Sequence, residues 1–234
     1  MLVILKLQHG FQTKLGFGRG RFVKFGNEAN IKIDNNLDSF FEFCKKEYNP
    51  IIYFHNLKFD GAFIICWLLS HGFKYIDDKK DRKEFTFTSL ITDLGLYYSI
   101  EVYFKVGNKS VRKVTFLDSL KIIPFSVSQI AKSFNIQEQK LEIDYNLKRD
   151  KGHILTTEEN EYIKHDVVIV AKALNVLFQE KLTKMTQGSN ALHDFTEMIT
   201  KKRFNHYFPK LDKWADEDIR KAYKGRIHIF EQNL

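Results

Sequence analysis

The chain has 234 residues, a length that suits one domain or one domain with part of a second. Hydrophobic residues make up 44% of it, and there are only 12 glycines and 3 prolines, which excludes a disordered or linker-rich protein. The net charge of +8 favours polyanionic partners, nucleic acid first. The two cysteines, Cys44 and Cys66, match no metal or disulfide spacing and are interpreted as reduced core thiols.

The first half of the chain predicts alternating helices and strands. The first elements expected, in chain order, are an amphipathic helix, a short buried strand and a second helix, over 37–48, 51–54 and 60–70. Pro50 ends the first helix and Gly72 closes the second. The apolar run 63–69 is too short to span a membrane and predicts a buried helix instead.

Farther along, the pattern becomes typical of β-structure and then of helices. Three strand-like runs, with turns at Gly95 and Gly107-Asn108, predict an antiparallel meander over 85–88, 96–104 and 111–117. Capping-box pairs, Ser126 with Gln129 and Thr156 with Glu159, start the next helices, expected over 126–134 and from 156 to about 185. Shorter helices are expected over 189–207 and 216–224, so the fold class is mixed α/β.

A polar cluster follows the buried strand, within the segment 53–64, which reads Tyr-Phe-His-Asn-Leu-Lys-Phe-Asp-Gly-Ala-Phe-Ile. Asp60 alone could be a capping residue, since a carboxylate is favourable near a helix N-terminus. A capping role does not explain why His55, Asn56 and Lys58 crowd together before it.

A second set of polar residues lies on the long predicted helix. Tyr162 and Asp166 are four residues apart and therefore share one helix face. A carboxylate can hold a divalent cation, and a phenol one turn earlier can orient an attacking water. By pattern alone, a solvated helix face is the interpretation we favour for these two residues. Two further segments, 118–121 and 140–145, would each pass for an ordinary loop.

Taken in order, these four segments resemble the exonuclease domain of the protein-primed family B DNA polymerases of small tailed phages and linear plasmids. The resemblance covers about 21–225. The segment 53–64 is similar to the second exonuclease motif, and Tyr162 with Asp166 to the third, Tyr-x3-Asp. Ser119-Leu120 matches the Ser/Thr-Leu single-strand-binding motif, and Lys140 with Ile143 matches the Lys-x2-hydrophobic motif.

The resemblance implies an RNase H-like fold, with a mixed β-sheet flanked by helices, and two-metal hydrolysis with Mg²⁺ or Mn²⁺. It implies that Asp60 and Asp166 are metal ligands, that Tyr162 orients the water, and that Lys140 steadies the scissile phosphate region. The residues that it implies for gripping single-stranded DNA are His55, Asn56, Phe59, Ser119, Leu120 and Tyr145.

The implied partners are the 3′ end of single-stranded DNA and, by family, a priming terminal protein. We expect a monomer without membrane contact, in the cytoplasm of a host cell that is infected by a phage or carries a plasmid or prophage.

The chain departs from the family where the first exonuclease motif, Asp-x-Glu, should lie, because no acidic residue precedes Glu28. Translation of degenerate codons from the third base of the Met1 codon permits Ala-Cys-Asp-Phe-Glu-Thr-Thr over the first eight residues. The same shift over 14–20 permits Thr-Arg-Val-Trp-Ala-Trp, which also resembles the family. We therefore predict that 1–20 is an aberrant, out-of-frame segment, although simple divergence is the alternative.

The other end departs in the same way. The family joins its two domains through Tyr-x-Gly-Gly/Ala, whereas here Tyr223-Lys224-Gly225 is followed by Arg226. Skipping one base after Gly225 permits Gly-Phe-Thr-Tyr-Leu-Asn, which continues the family pattern. We predict that 21–225 is the 3′→5′ exonuclease domain and that 226–234 is an aberrant tail where the polymerase domain should begin.

Three hypotheses follow for the molecule. It could be a working exonuclease whose site is completed by another carboxylate or a partner. It could be a non-catalytic module that holds single-stranded DNA, which we favour for the purified chain. It could also be a non-functional fragment of a broken or misread gene, which we favour as its biological status.

Overall fold

The computed structural model describes residues 3–6, 13–15, 23–24, 37–107, 110–144 and 154–221; of the first three ranges it describes only the strand backbone. The chain divides into two compact units, Met1–Gln187 and Gly188–Leu234. All candidate site residues belong to the first unit. Tyr145 and the tail 226–234 lie outside the described residues.

Eight strands in the described ranges form one mixed sheet in the order β3-β2-β1-β4-β8-β7-β6-β5. The strands are β1 (Val3–Lys6), β2 (Thr13–Leu15), β3 (Val23–Lys24), β4 (Ile51–Phe54), β5 (Lys74–Tyr75), β6 (Thr86–Ile91), β7 (Tyr97–Val106) and β8 (Val111–Asp118). The expected meander is confirmed, because β6, β7 and β8 pair antiparallel in sequence order. Strand β4 instead pairs parallel to β8, with Phe54 opposite Asp118.

The helices of the first unit are α1 (Leu37–Lys46), α2 (Leu57–Ser70), α3 (Val127–Ser133) and α4 (Thr157–Gln179). Successive side chains of β4 point to opposite faces of the sheet. Accordingly Tyr53 packs in a core with residues of α3 and α4, whereas Ile52 and Phe54 pack in a second core with residues of α1 and α2. The sheet is thus flanked by helices on both faces. No helix in the described ranges is both long and apolar enough to cross a membrane.

Helix α2 differs from its sequence-based prediction in two respects. It begins at Leu57 rather than at residue 60, directly after Asn56, whose φ of 75° lies in the left-handed region. It is also less buried than its apolar run suggests, since the side chains of Phe63 and Leu69 are 55% and 56% exposed. Cys66 is exposed on the same helix, so the prediction of two core thiols was wrong for Cys66 and is confirmed for Cys44.

Three helices end in the same hydrogen-bonding arrangement, in which a residue with positive φ follows the last turn. Gly72 closes α2 as expected, while Asn135 closes α3 and Lys181, at φ 63°, closes α4. The amide of Leu182 donates to the carbonyl of Leu177 at 2.9 Å. This closure explains why α4 ends at Gln179 and not at about 185.

The described part of the second unit is helical. It contains α5 (Gln187–Ile199), α6 (Lys201–Tyr207) and a helix over 213–221. Thr200, at φ 69°, separates the first two. The rings of Phe195, Phe204 and Phe208 contact one another with centroids 5.1–6.2 Å apart and form a small aromatic cluster that is largely exposed.

The N-terminal strands bear on the reading-frame prediction without deciding it. Strand β1 lies between β2 and β4 and pairs antiparallel with both, with Val3 opposite Phe54. Backbone pairing asks chiefly for a side-chain pattern that fits a pleated surface, which an apolar run supplies whatever its reading frame. The rest of 1–20 lies outside the described residues, and the frame change stays a prediction.

We expect the capping box of α4 to stabilise the domain. The Thr156 hydroxyl accepts a hydrogen bond from the Glu159 amide at 3.2 Å, and the Glu159 carboxylate accepts one from the Thr156 amide at 2.9 Å. Thr156→Ala should lower the free energy of unfolding by about 1 kcal/mol in urea titrations followed by circular dichroism. Thr156→Ser keeps the hydroxyl and should change it little; equal losses for both variants would contradict the capping role.

Candidate active site and nucleic-acid interface

The candidate site lies where β4 and β8 end. Because the two strands are parallel and Phe54 is opposite Asp118, their carboxyl ends meet at one edge of the sheet. The residues that follow, His55 and Asn56 after β4 and Ser119 after β8, therefore lie next to one another. Ligand sites in α/β sheets commonly form at such carboxyl ends.

The His55 ring is held from both sides. Its Nε2 lies 2.8 Å from the carbonyl oxygen of Phe125, and its Nδ1 lies 3.0 Å from the Ser119 hydroxyl. A carbonyl can only accept, so Nε2 carries a proton. Burial lowers the pKa of His55, against the opposing effects of the Phe125 carbonyl and of the negative charges of Asp118 and Asp166. The single proton of the Ser119 hydroxyl has two acceptors within reach, Nδ1 of the neutral ring and the carbonyl oxygen of Phe54, each at 3.0 Å.

Asp118 connects the two strand ends. One of its carboxylate oxygens, Oδ1, accepts hydrogen bonds from the backbone amides of Asn56 and Leu120, each at 3.0 Å. The other oxygen, Oδ2, lies 3.7 Å from the ammonium of Lys121. Asp118 is almost fully buried, and a buried carboxylate of this kind is stabilised by such charge-assisted bonds.

Asp60 lies in the first turn of α2 and is only 4% exposed. Burial raises the pKa of Asp60 to about 6, and the negative charge of Asp118 also raises it. The next residue, Gly61, lets the helix approach β7 closely, because a Cβ atom there would lie 3.0 Å from the ring of Tyr97. The site thus contains two neighbouring carboxyl groups, both largely removed from water.

A second cluster joins α4 to the segment before it. The ammonium of Lys140 donates to the Tyr162 hydroxyl at 2.8 Å and to the two Asp166 oxygens at 2.9 and 3.2 Å. Tyr162 and Asp166 therefore lie on the same side of α4, as their spacing predicts. Val167, next to Asp166 on α4, belongs to the same core as Tyr53 of β4, and the charge of Asp166 opposes the lowering of the His55 pKa, so this cluster lies near the strand ends.

The remaining candidates differ in their surroundings. Phe59 is 64% exposed and touches Phe63 edge to face, with ring centroids 5.7 Å apart, so it is not a core residue. Leu120 is half-buried at the end of β8. The structure does not describe Tyr145, and its part in binding DNA stays a prediction.

The described residues form no group of three or more His, Cys, Asp or Glu side chains close enough to hold a metal ion. Asp60 and Asp166 therefore do not fit a two-metal centre by themselves, because Mg²⁺ requires near-octahedral oxygen coordination. The cation that Asp166 contacts here is the ammonium of Lys140. The assignment of Asp60 and Asp166 as metal ligands stays a prediction.

Comparison with known proteins identifies the family. The family model described as DNA polymerase type B, organellar and viral, matches 42–157 and 145–232. The chain is 43% identical over 204 residues to the DNA polymerase of Bacillus phage Nf, and 40% identical over 206 residues to that of Bacillus phage phi29. The chain belongs to the type B DNA polymerases, in their protein-primed phage branch. Each match covers 87% of this chain.

Solved polymerase structures agree in fold. The orthorhombic crystal form of phi29 DNA polymerase superposes with a TM-score of 0.78 at 34% identity, covering 93% of this chain and 38% of that one. The phi29 polymerase complexed with single-stranded DNA superposes with a TM-score of 0.73 at 39% identity. The fold is thus the RNase H-like fold of the polymerase exonuclease domain, as expected. The chain spans about a third of the length of the relatives it matches, 35% for the Nf and phi29 enzymes.

The motif assignment covers Ser119 and Leu120 but assigns no role to Asp118, whose Oδ1 accepts the backbone amides of Asn56 and Leu120. A signal for Asp118 was present in the sequence, since an acidic residue ends a predicted strand immediately before the Ser-Leu motif. The carbonyl of Phe125, which orients His55, gives no such signal because every residue carries one.

We expect Asp60→Asn to raise the free energy of unfolding at pH 8 by about 1–3 kcal/mol, because it removes a buried negative charge. The folded-state pKa of Asp60, about 6, exceeds its ordinary value of 3.8. The destabilisation by this group is therefore complete above pH 6 and disappears as the pH falls towards 4. Urea titrations at pH 8 and pH 5 should show a smaller difference between the two proteins at pH 5.

Asp93→Asn is the matched control, because Asp93 is exposed in the turn between β6 and β7. It should leave the free energy of unfolding unchanged at both pH values. A pH-independent difference for Asp60→Asn, or a loss of stability at pH 8, would show that the charge of Asp60 does not oppose folding.

Proposed function

We propose that this chain is a 3′→5′ exonuclease domain of a protein-primed DNA polymerase and that it binds the 3′ end of single-stranded DNA. The observation that carries the proposal is the convergence of His55, Asn56 and Ser119 on one sheet edge, beside the Lys140–Asp166 cluster. The phi29 polymerase, whose structure complexed with single-stranded DNA superposes on this chain, supports the same ligand.

The chemistry of this edge suits an unpaired strand. Exposed Phe59 offers a ring on which a base can stack, and such stacking contributes about 1–3 kcal/mol per base. Lysine side chains at Lys58, Lys121 and Lys140 supply positive charge for phosphates, in a chain with a net charge of +8. Stacking and phosphate contacts are both tolerant of sequence, as proofreading requires.

Hydrolysis is a separate question. We propose that the chain is impaired as a nuclease, because two divalent ions need several oxygen ligands and the 234 residues contain no Asp-x-Glu sequence. Asp60 and Asp166 supply too few oxygens to hold two ions in line with the scissile bond. The alternative to an exonuclease is therefore a non-catalytic module that binds single-stranded DNA with the same residues.

The wider biological role is proposed from the relatives. They are DNA polymerases of Bacillus and Streptococcus phages, so we place the domain in DNA replication and proofreading inside a phage-infected bacterial cell. A priming terminal protein is the further partner that the family suggests. A monomer is the simplest state for a domain that grips one DNA end.

Phe59→Ala should weaken binding of a 5′-fluorescein-labelled single-stranded oligonucleotide by about 1–3 kcal/mol, if a base stacks on the exposed ring. Fluorescence anisotropy titrations at several salt concentrations measure this loss. The affinity of the unaltered chain should fall steeply with salt, because lysine and arginine contacts release counterions from the DNA. Duplex DNA of the same length should bind more weakly than the single strand.

Tyr48→Ala is the matched control. Tyr48 is an aromatic residue of similar exposure, which packs against Arg112 and precedes β4, at the opposite end of that strand from His55. Its loss should leave the affinity unchanged. Equal affinities for the unaltered chain and Phe59→Ala would exclude stacking on Phe59, and equal losses for both variants would indicate a non-specific aromatic effect.

We expect the purified chain to release little or no nucleotide from a 5′-labelled single strand with Mg²⁺ or Mn²⁺. Replacing 1–20 by the frame-restored segment, which carries Asp-Phe-Glu, should restore activity. Asp166→Ala in the restored protein should then reduce the rate by at least about a hundredfold, if Asp166 is a metal ligand. Gel electrophoresis of the products measures each rate.

A circular single strand of the same length has no 3′ end and should survive in every reaction, which controls for contaminating endonucleases. Robust metal-dependent degradation by the unaltered chain, abolished by Asp60→Ala, would contradict the proposed impairment. It would show that other ligands complete the site, and it would remove the functional reason for treating 1–20 as out of frame.

A further inference from the structure

Asn56 has an unusual backbone for a residue at the start of a helix. Its φ and ψ are 75° and 61°, in the left-handed region that residues with a side chain adopt uncommonly, asparagine more often than most. Helix α2 starts immediately after it, yet the Asn56 side chain makes no capping hydrogen bond to that helix. The Asn56 backbone amide is instead bonded by a group outside the helix.

That group is Asp118. Its Oδ1 accepts the Asn56 amide at 3.0 Å, across the gap between β4 and β8, and the Leu120 amide at the same distance. A single buried oxygen thus determines the position of one residue from each of the two DNA-binding motifs. A carboxylate oxygen is suited to two N–H donors, since bonds to a charged acceptor are stronger than neutral ones.

We propose that Asp118 is a positioning residue for the binding of single-stranded DNA. Its Oδ1 holds the backbones of Asn56 and Leu120 in fixed positions relative to each other, without itself touching DNA. The inference rests on the proposed binding of single-stranded DNA. Its removal leaves two buried amides without an acceptor and releases Asn56 from the left-handed conformation. Strands β4 and β8 also pair at the residues that precede Phe54 and Asp118, so the sheet does not depend on the Asp118 side chain.

Asp118→Ala tests this role, with Asp118→Asn as the conservative variant that keeps an oxygen acceptor. Affinity for a 5′-fluorescein-labelled oligothymidylate with a free 3′ end should fall about tenfold or more for Asp118→Ala. It should stay within about threefold of the unaltered chain for Asp118→Asn. Circular dichroism at the assay temperature verifies that each variant is folded.

Asp78→Ala is the matched control, because it also removes a carboxylate that accepts the backbone amide two residues later. Asp78 accepts the Lys80 amide at 2.8 Å at the start of a short helix, with the same spacing as Asp118 and Leu120, but follows β5 at the far side of the sheet. Its loss should leave DNA affinity unchanged. If Asp78→Ala lowered the affinity as much as Asp118→Ala, the positioning role would be overturned.

Amide hydrogen exchange, measured by NMR on the unaltered chain, gives a readout that does not require a folded Asp118→Ala variant. The amides of Asn56 and Leu120 should be protected. They should lose protection in Asp118→Ala and keep it in Asp118→Asn. Unprotected amides in the unaltered chain would overturn the inference, even where Asp118→Ala fails to fold.

The outcomes separate this inference from the proposed function. If the unaltered chain does not bind the oligonucleotide, the proposed function fails and the inference fails with it. If the unaltered chain and Asp118→Ala bind equally well, only the inference fails. If Asp118→Asn is as weak as Asp118→Ala, the acceptor oxygen is not what Asp118 contributes, and the inference is overturned.

Discussion

The parallel pairing of β4 with β8 is the constraint on which the rest of the candidate site depends. It places Phe54 opposite Asp118, so that the polar segments after both strands leave the sheet at one edge. Antiparallel pairing of the same strands would send those segments to opposite edges. The two cores on either face of β4 pack against this strand from both sides.

The three carboxyl groups at this edge differ in the surroundings that stabilise or destabilise their negative charge. Asp118 has two amide donors and a nearby ammonium, and Asp166 has the ammonium of Lys140, whereas the burial of Asp60 raises its pKa to about 6. Burial therefore makes the ionised form of Asp60 costly to the fold. Carboxyl groups with a raised pKa are common at functional sites, which is consistent with the role proposed for Asp60.

Local signals in the sequence predicted local structure well. The strand over 51–54, the meander and both capping boxes were confirmed because turn residues and side-chain alternation specify them within a few positions. The start of α2 was not, because the left-handed Asn56 depends on Asp118, which is distant in sequence. The end of α4 was missed because a lysine, Lys181, adopts the positive φ that glycine usually supplies. The site motifs were found by resemblance, but their contacts required the tertiary structure.

Because the candidate site is formed by separate segments of the chain, the proposed binding of single-stranded DNA is coupled to folding. Residues after β4, after β8 and on α4 come together only in the native chain, so the proposed binding of an oligonucleotide at this edge would favour the folded state over the unfolded one. Mass action then stabilises the folded state by up to about 2.7 kcal/mol when the ligand is present at a hundred times its Kd. For a domain of marginal stability, the nucleic acid would serve as a scaffold for the protein as well as its ligand.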